Sequence, residues 1–195
     1  MDILISGVGG QGTILASKIL ACSAVFDGRN ARTGETIGMS QRGGCVVSHV
    51  RIGDTYSPYI PEGSADLLIS FELCEGARNI VYLNKTGCAI INKASITPVS
   101  AALGITEYNA EKMVDAISKN SNAVFVDADS LAVHSGSVMA VNTVLIGVAF
   151  ALGVLDMSKE SILKSMKKNI NPRFLDININ AFYSGIKTIE EMKQK

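Results

Sequence analysis

The sequence predicts an α/β domain whose sheet is mostly parallel and covered by helices on both faces. Three observations carry this. Apolar runs of strand length recur at residues 2–6 (DILIS), 66–71 (DLLISF), 88–92 (CAIIN) and 123–129 (AVFVDAD). Stretches of helical periodicity separate them, and strands that alternate with helices build parallel sheets. The first run leads into GVGGQG, residues 7–12, a glycine-rich turn that opens the first helix.

Taken in order, residues 2–6 are short, apolar and end on glycine, so they read as a buried strand. Residues 11–26 (QGTILASKILACSAVF) place Ile14, Leu15, Ile19, Leu20 and Cys22 at helical spacing, and Asp27-Gly28 stops that helix. Residues 29–44 (RNARTGETIGMSQRGG) carry almost no apolar content and read as one long loop with room for a short strand. Long loops in compact domains are usually functional or disordered. Residues 45–53 (CVVSHVRIG) alternate as a strand does, and the Pro-containing segment 54–63 is a loop. A helical stretch from about Cys74 to Leu83 separates the strands at 66–71 and 88–92. Residues 109–120 (NAEKMVDAISKN) form an amphipathic helix. Residues 157–169 and the segment from Pro172 onward are closing helices, the first with Ser158 as N-cap and Glu160 in its first turn, where the helix dipole favours an acid.

Residues 138–155 (VMAVNTVLIGVAFALGVL) are long enough to test as a membrane span. They lack aromatic belts and flanking basic clusters, and Asn142 and Thr143 lie inside them, so they read as a buried core helix. The apolar run at residues 3–5 is too short for a signal peptide, and a cytoplasmic location is expected.

A length of 195 residues suits one domain, residues 1–195, and 47% hydrophobic content supplies its core. Lys plus Arg equals Asp plus Glu at 18 each, which argues against a dedicated nucleic-acid binder. The cysteines Cys22, Cys45, Cys74 and Cys88 form no C-x-x-C pair. Iron–sulfur and structural zinc sites draw on clustered thiolates, so neither is expected on this chain alone; the four read as small buried hydrophobes.

Gly7, Gly9 and Gly12 satisfy G-x-G-x-x-G between a strand and a helix, where backbone N–H groups and the helix dipole can face an anion. Gln11 could add its side-chain amide. A dinucleotide site also needs an acid at the end of a second strand about 20 residues on. Asp27 ends a helix instead, and Glu35 lies further along in the polar segment. Three readings stay open: a flavin or nicotinamide site, a turn that needs glycine only for packing, and an anion contact completed by another chain. A second glycine-rich run follows, GMSQRGG at residues 38–44. Arg42 offers a planar fork of donors suited to phosphate or carboxylate, Ser40 and Gln41 add polar reach, and Gly43 and Gly44 allow close backbone approach. A solvated turn explains the same residues, and one R-G-G in a neutral chain is poor evidence for RNA.

GVGGQGTILASKIL, GETIGMSQRGGCVVSHVRIG, SPYIPEGSADLLISFELCEGAR and the later NTVLIG together resemble the gamma-type domain of 2-oxoacid:ferredoxin oxidoreductases, in order and over nearly the whole chain. The likeness is greatest to the indolepyruvate type. Members often carry His two residues after the Glu that stands here at Glu35; this chain has Ile37 there, so no role of such a histidine carries over. The resemblance implies a Rossmann-like three-layer α/β/α domain and a subunit that is inactive alone. The reaction it implies is oxidative decarboxylation of a 2-oxoacid with coenzyme A, the electrons passing to ferredoxin. Thiamine diphosphate and iron–sulfur clusters are then expected on a larger alpha subunit. This chain would wall a composite site, with Gly7, Gly9, Gly10, Gln11 and Gly12 on one edge and Glu35, Ser40, Gln41, Arg42, Gly43 and Gly44 on the other. Arg42 is the foremost candidate, for a coenzyme A phosphate or a substrate carboxylate. A stand-alone flavin- or nicotinamide-dependent oxidoreductase and a non-catalytic assembly module are the alternatives, and a homodimer is expected to be possible when the chain is alone.

Other polar residues have bland readings beside functional ones. His49, within a strand, is a satisfied histidine or a catalytic base, and His134 lies at a surface or helix end. Glu72 and Glu75, and Asp127 and Asp129, follow strand ends, where they either meet a ligand or start helices. Asn142 is a buried polar group that needs a partner and would position a loop.

Overall fold

A computed structural model describes residues 1–38, 44–97, 101, 104 and 107–194. Six strands form one sheet: β1 (Asp2–Val8), β2 (Ala31–Ile37), β3 (Cys45–Ile52), β4 (Ala65–Ser70), β5 (Leu83–Asn92) and β6 (Asn122–Val126), in the order β2-β3-β1-β4-β5-β6. β1 pairs parallel with β4, β4 with β5, and β5 with β6. β3 runs antiparallel to both its neighbours, β1 and β2. Five strands therefore point one way and β3 alone points back.

The helices among the described residues are α1 (Thr13–Phe26), α2 (Leu73–Asn79), α3 (Ala110–Asn120), α4 (Ala128–His134), α5 (Val141–Ala151), α6 (Lys159–Asn169) and α7 (Pro172–Lys193). The pleat sorts the apolar strand residues by parity. Ile3, Ile5, Leu67, Ile69 and Ile90 pack under α1, α5, α6 and α7, while Leu4, Leu68, Ala89 and Ile91 pack under Leu73 of α2 and Ile117 of α3. The result is the three-layer α/β/α arrangement expected.

Several local expectations hold. Ser158 caps α6 by accepting from the Ser161 N–H at 3.1 Å, with Glu160 in the first turn. Glu72 and Asp127 are the N-caps of α2 and α4, and His134 ends α4. Residues 138–155 become a short 3₁₀ turn, Val138–Ala140, followed by α5, whose residues from Val141 to Ala149 are all buried. No helix among the described residues is long and apolar enough to cross a membrane.

Three expectations change. Residues 31–37, read as part of a long loop with room for a short strand, form the seven-residue strand β2. Its side chains are mostly exposed and show no apolar alternation; backbone pairing with β3 makes the strand. β5 begins at Leu83, because α2 closes at Asn79 and one 3₁₀ turn finishes the connection. Cys45 is exposed at the start of β3 and Cys22 is half-buried, so only Cys74 and Cys88 are the buried hydrophobes expected; burial pushes both of those thiols above their ordinary range.

Candidate functional site at the strand ends

The parallel strands end along one edge of the sheet, the place where α/β folds collect ligands. The turn from β1 into α1 is fastened there by Gln11. Its Oε1 accepts from the Val8 N–H at 2.7 Å, and its Nε2 donates to the Phe71 carbonyl at 3.4 Å. Asn92, fully buried, donates to the same carbonyl at 3.0 Å and accepts from the Ala128 N–H at 3.0 Å. One carbonyl thus ties together the exits of β1, β4 and β5 and the start of α4. Gln11 shapes the turn with both ends of its amide.

Gly10 and Gly12 have φ of 102° and 88°, conformations that side chains rarely adopt. Gly12 is the N-cap of α1 and no side chain caps that helix, so its first-turn N–H groups are left for another acceptor. Beside them lies Asn142, 1% exposed. Its Oδ1 accepts from the Thr143 N–H at 2.8 Å, and its Nδ2 lies 3.0 Å from where a Cβ on Gly12 would stand. No described residue accepts a hydrogen bond from that Nδ2, so half of the partner expected for Asn142 is absent within the described residues. Gly7 is crowded instead: a Cβ there would come within 3.0 Å of Gln11, Thr13 and Phe71.

The two glycine-rich segments meet. The Gly9 N–H donates to the Gly44 carbonyl at 2.9 Å, and the Gly38 N–H donates to the Cys45 carbonyl at 2.9 Å. The Gly44 end of the second segment therefore stands beside the first, and the Gly38 end lies across β3 from it. Ser40, Gln41, Arg42 and Gly43 lie outside the described residues. Glu35 belongs to β2 rather than to a loop; it accepts from the Ser17 hydroxyl at 3.4 Å, one helical turn along α1 from the glycine turn. The strand carries Glu35 to the α1 side of the sheet, and it is not gathered with the glycines.

Two clefts open on this edge. One, about 330 Å³, is lined by Gly10, Gln11, Ser95, Ile96 and Asp129. The other, about 450 Å³ and mostly apolar, is lined by Gly12, Leu15, Asn142, Phe174 and Ile177. Met139, 68% exposed, borders both. Ser95, Ile96, Met139 and Phe174 had no signal in the sequence, since only the fold brings them to the glycine turn. A helix start without a side-chain cap, glycine backbone and an amide with no acceptor among the described residues fit the oxygens of an anionic group such as a phosphate, and the apolar cleft suits an attached organic portion.

Glu72, Glu75, Asp127, His49 and Asp27 are engaged within the fold. Side-chain atoms of Glu72, Cys74 and Glu75 lie within 4.8 Å of one another. Both Glu72 oxygens, however, accept the Cys74 and Glu75 N–H groups, and Glu75 pairs with Arg78 at 2.6 Å. Burial raises the Glu72 carboxyl despite those bonds. The Ser130 hydroxyl and N–H hold Asp127 below the usual carboxylate range. His49 accepts from the Ile60 N–H at Nδ1, 3.2 Å away, and burial, with Arg51 nearby, lowers its pKa; it fastens the 54–63 loop. Asp27 binds Ser158 and Ser161 at the far end of α1. A dinucleotide site would need its acid at the glycine end, about 20 Å away along a 14-residue helix.

Residues 2–188 match the family model described as pyruvate ferredoxin/flavodoxin oxidoreductase. The chain belongs to that family. Over 152 residues it is 41% identical to the indolepyruvate oxidoreductase subunit IorB of Archaeoglobus fulgidus, covering 77% of this chain and 76% of that one. The IorB subunit of Pyrococcus horikoshii is likewise 41% identical, over 75% of this chain and 74% of its own. Among solved structures, the gamma subunit of a keto/oxoacid ferredoxin oxidoreductase from Geobacter sulfurreducens superposes with a TM-score of 0.72 at 25% identity, covering 97% of this chain and 98% of that one. This is a gamma-type subunit of the 2-oxoacid:ferredoxin oxidoreductase family, and the strand-end edge is the candidate site of that subunit.

Proposed function

We propose that this chain is the smaller subunit of a cytoplasmic enzyme that oxidatively decarboxylates an aryl-pyruvate, of the indolepyruvate kind, to the acyl-CoA and passes two electrons to ferredoxin. The larger subunit would carry thiamine diphosphate, which supplies the electron sink for decarboxylation, and the iron–sulfur clusters. This chain's part is to bind and orient. The observation that carries the reading is the Gly9–Gly44 hydrogen bond, which brings the two glycine segments together at the start of α1, where no side chain caps the helix and the Asn142 amide lies beside Gly12. That edge offers donors to an anion, and on this reading it is one wall of a composite site. Gly7, Gly9, Gly10, Gln11 and Gly12 shape this wall. Ser40, Gln41, Arg42, Gly43 and Gly44 would close it, Arg42 binding a coenzyme A phosphate. Glu35 would brace β2 against α1 behind the second segment. The identity to the IorB subunits favours the aryl substrate.

The test is co-purification from the native host, followed by indolepyruvate- and CoA-dependent reduction of a viologen dye. A large cluster-containing chain should come down with this one and the dye should be reduced. Arg42→Ala should then raise the KM for coenzyme A about tenfold or more, the worth of one charge-assisted contact, with the complex intact. Recovery of this chain alone with a bound flavin or nicotinamide would overturn the proposal. An unchanged KM in an active complex would reduce the chain to an assembly module.

A further inference from the structure

The free edge of the sheet at β2 carries an inference independent of the proposed reaction. The Gly38 N–H donates to the Cys45 carbonyl and the Gly53 N–H to the Asn30 carbonyl, both at 2.9 Å. The register between β2 and β3 is continuous from Ala31↔Ile52 to Ile37↔Val46, without a bulge. In an antiparallel pair the hydrogen-bonded positions alternate. Arg32, Gly34 and Thr36 therefore bond to β3, and Ala31, Thr33, Glu35 and Ile37 turn their N–H and C=O groups outward. No other strand pairs with that side among the described residues. Protein edges are commonly blunted by proline, bulges or clustered charge. β2 has no proline and no bulge, and its charges are a single Arg32 and a single Glu35.

We propose that β2 pairs with β2 of a second copy of this chain, antiparallel about a twofold axis at Gly34, joining the two sheets into one. The sequence ARTGETI is self-complementary in that register. Thr33 of one copy faces Glu35 of the other, Ala31 faces Ile37, and Arg32 faces Thr36, so no like charges stand directly opposite. All four outward-facing residues fall into hydrogen-bonded pairs, because odd positions meet odd positions. Glycine at the axis lets the backbones meet without a side-chain clash. Side-chain burial agrees. Ile37 is 58% exposed and Val25 is 55% exposed, large values for such residues. Val25 and Ala31 line one recess at the start of β2. Glu35 shows that the odd residues face α1, so Ile37 of the second copy arrives opposite Ala31 and beside Val25.

The test is sedimentation of the purified full chain across a concentration series at low salt. The wild type should be a dimer. Thr33 is exposed, so substitution there leaves the fold intact, which circular dichroism checks. Thr33→Glu sets like charges opposite Glu35 twice per dimer and should raise the dissociation constant about tenfold. Thr33→Lys should leave it unchanged or lower it, and Glu35→Lys added to Thr33→Glu should restore pairing. A monomeric wild type, or equal effects of the two Thr33 variants, overturns the proposal. A wild type that is monomeric alone, with Thr33→Glu weakening capture of the larger subunit, assigns the edge to that subunit and overturns self-pairing.

Discussion

Two pairs of glycines in this chain are glycine for opposite reasons. Gly147 of α5 and Gly185 of α7 sit where those helices cross. A Cβ on Gly147 would run into the Phe182 carbonyl oxygen, and one on Gly185 into the Val144 carbonyl oxygen. Gly10 and Gly12, at the strand-end edge, have positive φ; a Cβ on Gly10 would meet nothing within 4 Å, and one on Gly12 would meet only Asn142. The first pair is dictated by a neighbour's backbone, which cannot swing aside. The second is dictated by the residue's own backbone and leaves space around it. Packing glycines hold the core together. Space beside an uncapped helix start is what a ligand needs.

The difference can be broken most directly at the crossing. Gly185→Ala or Gly147→Ala should lose about 3 kcal/mol or more, because the added methyl must push two helices apart in a close-packed core. For a chain of this size that lowers Tm by about 6–12 °C. Equilibrium urea unfolding of each variant reads it, and an unchanged midpoint would mean that the crossing yields and the two glycine classes are one. Gly12→Ala ranks next. Left-handed strain costs about 1–2 kcal/mol, and the methyl must also displace the Asn142 amide. Its sharper signature should be in the complex: CoA-dependent turnover should fall further than the fraction unfolded accounts for. Turnover that tracks stability alone would place Gly12 with the packing glycines.

The sequence made the layers and the mostly parallel sheet legible and left the one reversed strand hidden. Runs such as DLLISF and CAIIN announce buried strands through composition alone, and Ser158 and Pro172 mark helix starts by local chemistry. β2 was legible only as room for a short strand, because ARTGETI carries no apolar alternation; its extent comes from its hydrogen bonds to β3, a property of the pair. The reversal of β3 was hidden, since alternation says that a segment is a strand and not which way it runs. At the site, the glycine spacing pointed to the turn. Asn142 stood out as a polar residue in an apolar helix, but the position of its Nδ2 beside Gly12 depends on how α5 meets α1. Gly147 and Gly185 carried no signal either, because close approach is a fact about two helices at once.

Gly10→Ala should have the smallest effect on folding and is the most informative about the site. Its φ of 102° is strained for alanine, but no neighbour resists the methyl, so the loss should be about 1 kcal/mol, or about 2–4 °C in Tm. Gly10 also lines the cleft shared with Gln11, Ser95 and Met139, so the same methyl projects into space reserved, on our reading, for an anion held by the glycine backbone. The KM for coenzyme A in the assembled complex should therefore rise several-fold while the complex stays intact and nearly as stable as wild type. Stability and affinity then separate at Gly10, whereas at Gly185 both should fall together through unfolding. If Gly10→Ala instead costs its strain and leaves that KM unchanged, the cleft is a consequence of turn geometry, and the free donors at the start of α1 serve the larger subunit rather than a small ligand.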